Sequence, residues 1–342
     1  MAALMGMKVS VVVPVYNKAP FLRECFESIF AQSFTDLEVI AVDDASTDNS
    51  LDVLRSFTDP RLRVLSNPTN KGPGVTAQHA MDQAEGEYII RVDADDILLP
   101  HRFKEQIAFM DAHPEIGISG TNIKILGRNE VIKRPTHPNT CKVQLLFGVA
   151  VMQPTSIYRR SLLQEHDLRY QPEWPRYGED WMFQARASRK LQFSNLDDVT
   201  VEYRRGEQGV SFGRDRSNEL PECINFAFEE LGWPPPSPAE MNVHLWSINL
   251  FSEPPTGHSV KFFRQWLNKL EHINSRAGTF DPEALHMRVH DAWRQLLYQL
   301  PKHGKEPLIA YIKEGGALDL RRIYFILRTM LGSQPKINTP KK

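Results

Sequence analysis

The sequence predicts an α/β fold, a mostly parallel sheet flanked by helices, followed by a C-terminal helical region. Three observations carry that prediction. Apolar, β-branched runs alternate with amphipathic helical patterns from Val9 to Arg204. The connections between them are short, as parallel strands with right-handed crossovers require. And three of the strand-like runs end in polar or acidic stretches, Pro14 to Asn17, Asp43 to Asp48 and Asp93 to Asp96, so one mouth of the sheet collects all three. Ligands in open α/β sheets sit at that edge.

The elements follow in order. Val9 to Val15 is β-branched and nearly continuous, the pattern of a strand buried on both faces, and Pro14 is expected to stop further pairing. Phe21, Leu22, Cys25, Phe26, Ile29 and Phe30 recur at helical spacing. Leu37 to Val42 is the second strand, and Ser46, Thr47 or Asp48 can cap the helix carrying Leu51, Leu54 and Phe57. Arg61 to Leu65 is a third strand, Asn67 to Gly74 is turn-rich, and Val75 to Ala84 is helical. A helix through Phe103 and Ile107 ends near His113, before a strand at Ile116 to Leu126. Cys141 to Phe147 reads as helix and Gln153 to Tyr158 as strand. An aromatic turn, Trp174 to Trp181, opens a helix through Lys190, and Phe193 to Arg204 returns as strand.

Three regions are expected: residues 1–218 as the catalytic domain, 219–238 as a boundary containing Trp233-Pro234-Pro235-Pro236-Ser237-Pro238, and 239–342 as the helical region. Helical patterns there cover Val260 to Ile273, Pro282 to Leu300 and Leu318 to Met330. From Leu320 onward the charged residues are all basic.

Composition narrows the function classes. A net charge of −1 over 342 residues argues against a nucleic-acid binder. Three separated cysteines without C-x-x-C spacing argue against a disulfide framework or a cysteine-rich zinc site, and suit a reducing compartment. No run reaches the ~18 apolar residues of a membrane span. A cytoplasmic protein is expected, with any membrane contact peripheral and on the cytoplasmic face.

The chemistry concentrates at Tyr88 to Pro100, where a short apolar strand meets Asp93, Asp95 and Asp96. Like charges gathered at the end of a buried strand cost free energy unless something positive neutralises them. Mg²⁺ or Mn²⁺ is the matching cation, since either favours carboxylate oxygens and shares its sphere with phosphate. The plainer reading is a solvated acidic loop. Asp48 is as well explained as a helix cap, and Asp180 as an acid favoured at a helix start. Trp174, Tyr177 and Trp181 either pack a core or stack on a sugar face. His79, His101, His113 and His137 are scattered and read as structural.

Together the segments resemble glycosyltransferase family 2, the inverting family with the glycosyltransferase-A fold. They are Val11-Val12-Val13-Pro14-Val15-Tyr16-Asn17, Val42-Asp43-Asp44-Ala45-Ser46-Thr47-Asp48, Asn70-Lys71-Gly72, Glu85-Gly86-Glu87-Tyr88-Ile89, Asp93-Ala94-Asp95-Asp96 and Gly178-Glu179-Asp180, over residues 8–212. The resemblance implies a nucleotide-binding sheet and a nucleotide-sugar donor, UDP-linked. It implies a glycan or lipid-linked acceptor in bacterial surface-polysaccharide assembly, and a divalent metal. It places Pro14, Tyr16, Asn17 and Lys71 about the donor, and Asp43 or Asp44 on the uracil edge. Asp93 would approach the ribose or the metal, Asp95 would hold the metal, and Asp180 would be the general base with Glu179 beside it.

The sequence departs from the family pattern in places. Ala77-Gln78 stands where many members carry Arg-Asn. Tyr203-Arg204-Arg205-Gly206-Glu207 lacks a histidine that can serve as a further ligand, with Glu207 a neighbouring substitute. No Gln-x-x-Arg-Trp follows Asp180, which disfavours a processive synthase. No G-x-G-x-x-G follows the first strand, which disfavours a dinucleotide oxidoreductase. The rival from another class is a catalytically inactive nucleotide-sugar-binding or scaffold module.

Overall fold

The computed structural model describes residues 7–206 and 219–330. The first half runs β1 (Val9–Val15), α1 (Ala19–Phe30), β2 (Leu37–Asp43), α2 (Ser50–Arg55), β3 (Leu62–Ser66), α3 (Pro73–Asp82) and β4 (Tyr88–Arg91). Then come β5 (Ile97–Leu98), α4 (Arg102–Ala112), β6 (Ile116–Ile125), β7 (Val131–Ile132), α5 (Pro138–Gln144), β8 (Ile157–Arg159), α6 (Arg160–Glu165), α7 (Glu179–Ala187), β9 (Gln192–Tyr203) and α8 (Glu219–Glu230).

Among the described residues these strands form one sheet in the order β3-β2-β1-β4-β8-β6-β9-β5, with β7 paired to β6. The α/β fold is as expected, and the parallel pairing runs from β3 through β2 and β1 to β4. Beyond β4 the sheet is mixed, because β8 enters antiparallel to both β4 and β6, while β9 is parallel to β6. The strands β5, β7 and β8 are two or three residues long, too short to leave a periodic signature.

β1 is central because Val9, Val11, Val12 and Val13 are fully buried. Val9, Val11 and Val13 pack in one cluster with Leu22, Phe26 and Ile29 of α1 and Phe103, Ile107 and Met110 of α4. Each such side chain contributes roughly 1.5–3 kcal/mol on burial. Next to Val9, the hydroxyl of Ser10 donates to Glu38 Oε1 at 2.7 Å and accepts from Gly86 N–H at 2.8 Å. A Cβ at Gly86 would lie 2.5 Å from Ser10 N, so only glycine lets β4 begin this close to β1.

Two local expectations are corrected. Pro14 does not end all pairing, since Val15 still pairs with Asp43 of β2. Val12 O accepts from Val92 N and Val15 O accepts from Asp44 N, so the peptide group of residue 14 faces β4. Its missing N–H therefore ends the ladder on that side alone. Gln153 to Tyr158 is not one strand: Gln153–Thr155 is a 3-10 turn, with Pro154 inside it, and β8 starts at Ile157.

The chain divides into two compact units after Leu231. The expected boundary 219–238 is thus shared, with α8 in the first unit and Trp233 in the second. Trp233 is buried there, donates to Thr279 Oγ1 at 3.1 Å, and packs edge-on against Phe280. The second unit holds α9 (Pro238–His244), α10 (Gly257–Ala277), α11 (Pro282–Leu296), α12 (Lys305–Lys313) and α13 (Leu320–Met330). Ser237 with Glu240 and Thr256 with Ser259 form capping boxes that fix the starts of α9 and α10. Val260, Phe263, Leu267, Trp293 and Tyr311 are buried in this unit. No helix among the described residues is long and apolar enough to cross a membrane.

Candidate active site

The carboxyl ends of β1, β2 and β4 bring the expected segments together, and each is held by a different device. After β1, Tyr16 is 44% exposed and Asn17 takes a positive φ of 52°. Asn17 N–H donates to Ser46 Oγ at 3.0 Å, and its side-chain oxygen accepts from Thr47 N–H at 2.8 Å. Asn17 thereby fastens the loop after β1 to the loop after β2. The N-cap of α2 is Asn49, without a side-chain cap, so none of Ser46, Thr47 and Asp48 caps that helix. Asp48 instead ties the two loops together, accepting from Ser50 N–H at 2.9 Å and from Ala19 N–H at 3.2 Å.

The paired aspartates at the end of β2 differ in what they hold. Asp44 accepts from Lys71 N–H and Gly72 N–H at 2.8 Å each and from Asn67 Nδ2 at 2.7 Å. Both of its oxygens are committed to the 67–72 loop. Asp43 accepts from Ser46 N–H at 3.1 Å through Oδ2, whereas its Oδ1 is buried without a partner. A buried carboxylate oxygen left open costs roughly 1–3 kcal/mol or more unless a ligand donor meets it.

The acidic turn after β4 is braced by cations. Asp96 N–H donates to Asp93 O at 3.1 Å and closes the turn. Lys18 Nζ reaches Asp95 Oδ2 at 2.5 Å. Asp96 is buried, and its Oδ1 accepts from Arg204 N–H at 2.8 Å. Arg204 Nε also donates to Asp95 O at 2.9 Å, so the end of β9 clamps the turn in place. Burial, then the charges of Asp93 and Asp95, push the Asp96 carboxyl well above the ordinary range. Asp96 thus has a structural task that sequence did not disclose, while Asp93 and Asp95 keep some exposure.

Across the mouth stands the start of α7. Gly178 is left-handed at φ 85°, and a Cβ there would lie 2.5 Å from Cys223 Sγ. Glu179 is buried, and its carboxyl is pushed up to about 8 by burial and then by Asp180. Asp180 is partly exposed, accepts from Trp181 N–H at 2.8 Å, and is raised by burial against the pull of Arg91. Arg91 is buried with Nε 3.7 Å from Asp93 Oδ1, and its charge also acts on Glu179 and Asp180. One guanidinium therefore links the acidic turn to the acidic helix start. With the Gln153 amide oxygen turned toward it, Arg91 also donates to Gln153. Arg134, held below its ordinary value by burial, feels Asp180 as its opposing charge.

Lys71 lines a cleft with Gly74, Gln171, Trp174, Arg176 and Glu179. Gly74 is required there, since a Cβ would lie 2.8 Å from Glu179 Cγ. Trp181 is buried and its Nε1 donates to Leu145 O at 2.7 Å, which makes it a packing residue, whereas Trp174 packs edge-on against Phe226 and also lines the cleft. Tyr177 stays partly exposed. Ala77 is core, and Gln78 accepts from Tyr170 N–H at 3.0 Å. The four histidines make local contacts: His79 with Asn67, His101 with Asp198, His113 with Glu115, and His137 at the start of α5. The three cysteines are buried thiols. Glu207 lies outside the described residues. Sequence reasoning missed Lys18, Arg91, Arg134 and Arg204, although Lys18 follows Asn17 directly and Arg91 lies inside the run that draws attention to Asp93.

The family profile described as Glycosyl transferase family 2 matches residues 10–190, which span every candidate from Pro14 to Asp180. The chain belongs to that family. Among curated relatives, the poly(ribitol-phosphate) beta-N-acetylglucosaminyltransferase TarS of Staphylococcus aureus is 34% identical over 214 residues, 59% of this chain and 36% of TarS. The chain thus spans about a third of that relative's length. The S. aureus TarS 1-349 structure in complex with UDP-GlcNAc aligns with a TM-score of 0.58 at 23% identity, over 95% of this chain and 92% of that one. The mannosyltransferase PcManGT of Pyrobaculum calidifontis, in complex with GDP-Man and Mn²⁺, aligns at 0.51 and 16% identity over 96% and 81%. Both structural likenesses concern the fold, a mixed sheet flanked by helices of the glycosyltransferase-A kind.

Proposed function

We propose that this family 2 chain is an inverting glycosyltransferase that moves a sugar from a UDP-linked donor to a hydroxyl of a glycan or lipid-linked acceptor. The observation that carries the reading is the gathering of Asp43, Asp93 and Asp95 at one sheet mouth, with Arg91 joining Asp93 to the Glu179–Asp180 pair. Asp43 Oδ1, buried and unpartnered, suits the N–H of a uracil edge. Asp44 does not, because the 67–72 loop already occupies it. Pro14, Tyr16, Asn17 and Lys71 belong to the loops around the nucleotide, with Asn17 acting through the loop it fastens.

The acidic turn fits a divalent cation. Its donors are hard carboxylate oxygens, and Asp95 already draws in an ammonium group. Among the described residues no three His, Cys, Asp or Glu side chains converge into a closed cage. Asp95, with Asp93, would hold Mn²⁺ or Mg²⁺ in the manner of sites completed by substrate phosphate and water. Such a cation supplies charge neutralisation on the departing diphosphate.

The other steps fall to the chain's own groups. Two carboxyls side by side cannot both ionise freely, and Glu179, the more buried, keeps the proton near neutral pH. Asp180 is left as the carboxylate that accepts the acceptor hydroxyl's proton as its oxygen attacks the anomeric carbon. Attack opposite the leaving diphosphate gives a single displacement with inversion. The named activity of TarS on poly(ribitol-phosphate) and its complex with UDP-GlcNAc support a polymeric or anchored acceptor and a UDP donor. A cytoplasmic, membrane-proximal site of action accords with an acceptor of that kind. Hydrolysis of a panel of nucleotide sugars with and without Mn²⁺ tests the reading. Metal-dependent release of UDP from one donor supports it, and no turnover of any donor opposes it.

A further inference from the structure

Residues 300–342 carry nine lysines and arginines against three acidic residues, in a chain whose net charge is −1. The charge is concentrated around α13, whose two faces differ in kind. Its inner face is anchored: Ile326 and Arg322 are buried, Phe325 meets Tyr298 edge-on, and Arg322 donates to Ala317 O at 2.9 Å. Its outer face is apolar yet exposed, with Leu320 at 85%, Tyr324 at 65%, Leu327 at 55% and Ile323 at 39%. These four recur at helical spacing, so they form one stripe along the helix. Leu318 adjoins it across a shallow depression shared with Leu320 and Ile323. Arg321 and Arg328 lie seven residues apart, along one flank of the stripe.

We propose that the outer face of α13 docks on an anionic lipid surface, with Leu320, Ile323, Tyr324 and Leu327 entering the headgroup boundary and Arg321 and Arg328 meeting lipid phosphates. Apolar stripes flanked by cations bind in this way, lying in the plane of the interface. At 11 residues α13 is about 16 Å long, too short to span a bilayer. Charge chooses this occupant over a second copy of the chain. An antiparallel two-fold pairing of α13 with itself would line up the arginine flanks and set Arg321 of one copy beside Arg328 of the other. The nearest acid offers no relief, because Asp319 accepts from Arg322 N–H at 2.8 Å and also sits beside its guanidinium. The assignment extends the membrane-proximal reading of the acceptor, and its test involves no sugar transfer.

The experiment is co-sedimentation of the full chain with phosphatidylcholine vesicles, with and without phosphatidylglycerol, together with gel filtration. The wild type should sediment with the anionic vesicles and only weakly with the neutral ones. Leu327 and Arg321 are exposed and Arg328 is half-buried, so L327D and R321E/R328E should both unfold at the wild-type temperature while binding anionic vesicles at least about tenfold less well. Absence of wild-type binding, equal binding to neutral vesicles, or undiminished binding by both variants would overturn the proposal. A self-associated wild type that L327D dissociates would overturn it too, by giving the face to a second copy.

Discussion

Lys18 Nζ stands 2.5 Å from Asp95 Oδ2, so the carboxylate proposed for the divalent cation already holds a charge partner from the loop after β1. Metal and ammonium compete for one oxygen or are set side by side, and like charges there weaken each other. Lys18→Met should therefore tighten Mn²⁺ binding several-fold in isothermal titration of the donor-free protein. Unchanged or weaker binding would show that Lys18 does not compete.

The paired aspartates at the end of β2 separate binding from folding. Asp43→Asn replaces the open acceptor by an amide that cannot accept through its NH₂, and should weaken UDP binding about tenfold or more at nearly unchanged melting temperature. Asp44→Ala strips the 67–72 loop of its acceptor and should destabilise the fold by about 2–4 kcal/mol in denaturant titration. The reverse pattern would exchange the two roles.

Gly178 sets the angle at which Glu179 and Asp180 enter the site. Gly178→Ala forces a side chain into the left-handed region and onto Cys223, and should cost about 1–3 kcal/mol together with most of the activity. Cys223→Ala in the same chain removes the overlap and leaves the backbone strain. Partial recovery of melting temperature is the expected result, whereas full recovery would assign the whole effect to crowding.

The Glu179 carboxyl is raised from 4.5 to about 8, so the folded protein keeps a proton there that the unfolded chain releases. Its contribution to stability is whole below about 4.5 and is lost as the pH rises toward 8, at no more than about 1.4 kcal/mol per pH unit. Denaturant titrations of wild type and Glu179→Gln should accordingly diverge over this window, the wild type losing stability relative to the variant as pH increases. Parallel curves would mean that Glu179 ionises normally.

Much of the first unit was legible in the sequence because its strands are buried on both faces. Val9 to Val15 and Leu37 to Val42 could only be strands of a covered sheet, and the polar residues at their ends mark the mouth. What stayed hidden was chemistry made by residues far apart in the chain. Nothing local to Arg204 says that it braces Asp95 and Asp96, and nothing local to Arg91 says that it faces Glu179 and Asp180. The division of labour between Asp43 and Asp44 was equally closed to sequence, since it depends on where the 67–72 loop lies. The strands β5, β7 and β8 and the turn at Gln153–Thr155 are set by neighbours rather than by pattern.

In the proposed reaction the acidic turn handles the donor while Asp180 handles the acceptor's proton. The most direct measurement is UDP-sugar binding and transfer by Asp95→Asn and Asp180→Asn, each with Mn²⁺ and each checked for folding by circular dichroism. Asp95→Asn should lose metal-dependent donor binding and transfer together, whereas Asp180→Asn should bind donor within about twofold of wild type and lose transfer by about 10²-fold or more. Full transfer by folded Asp180→Asn would contradict that division of roles.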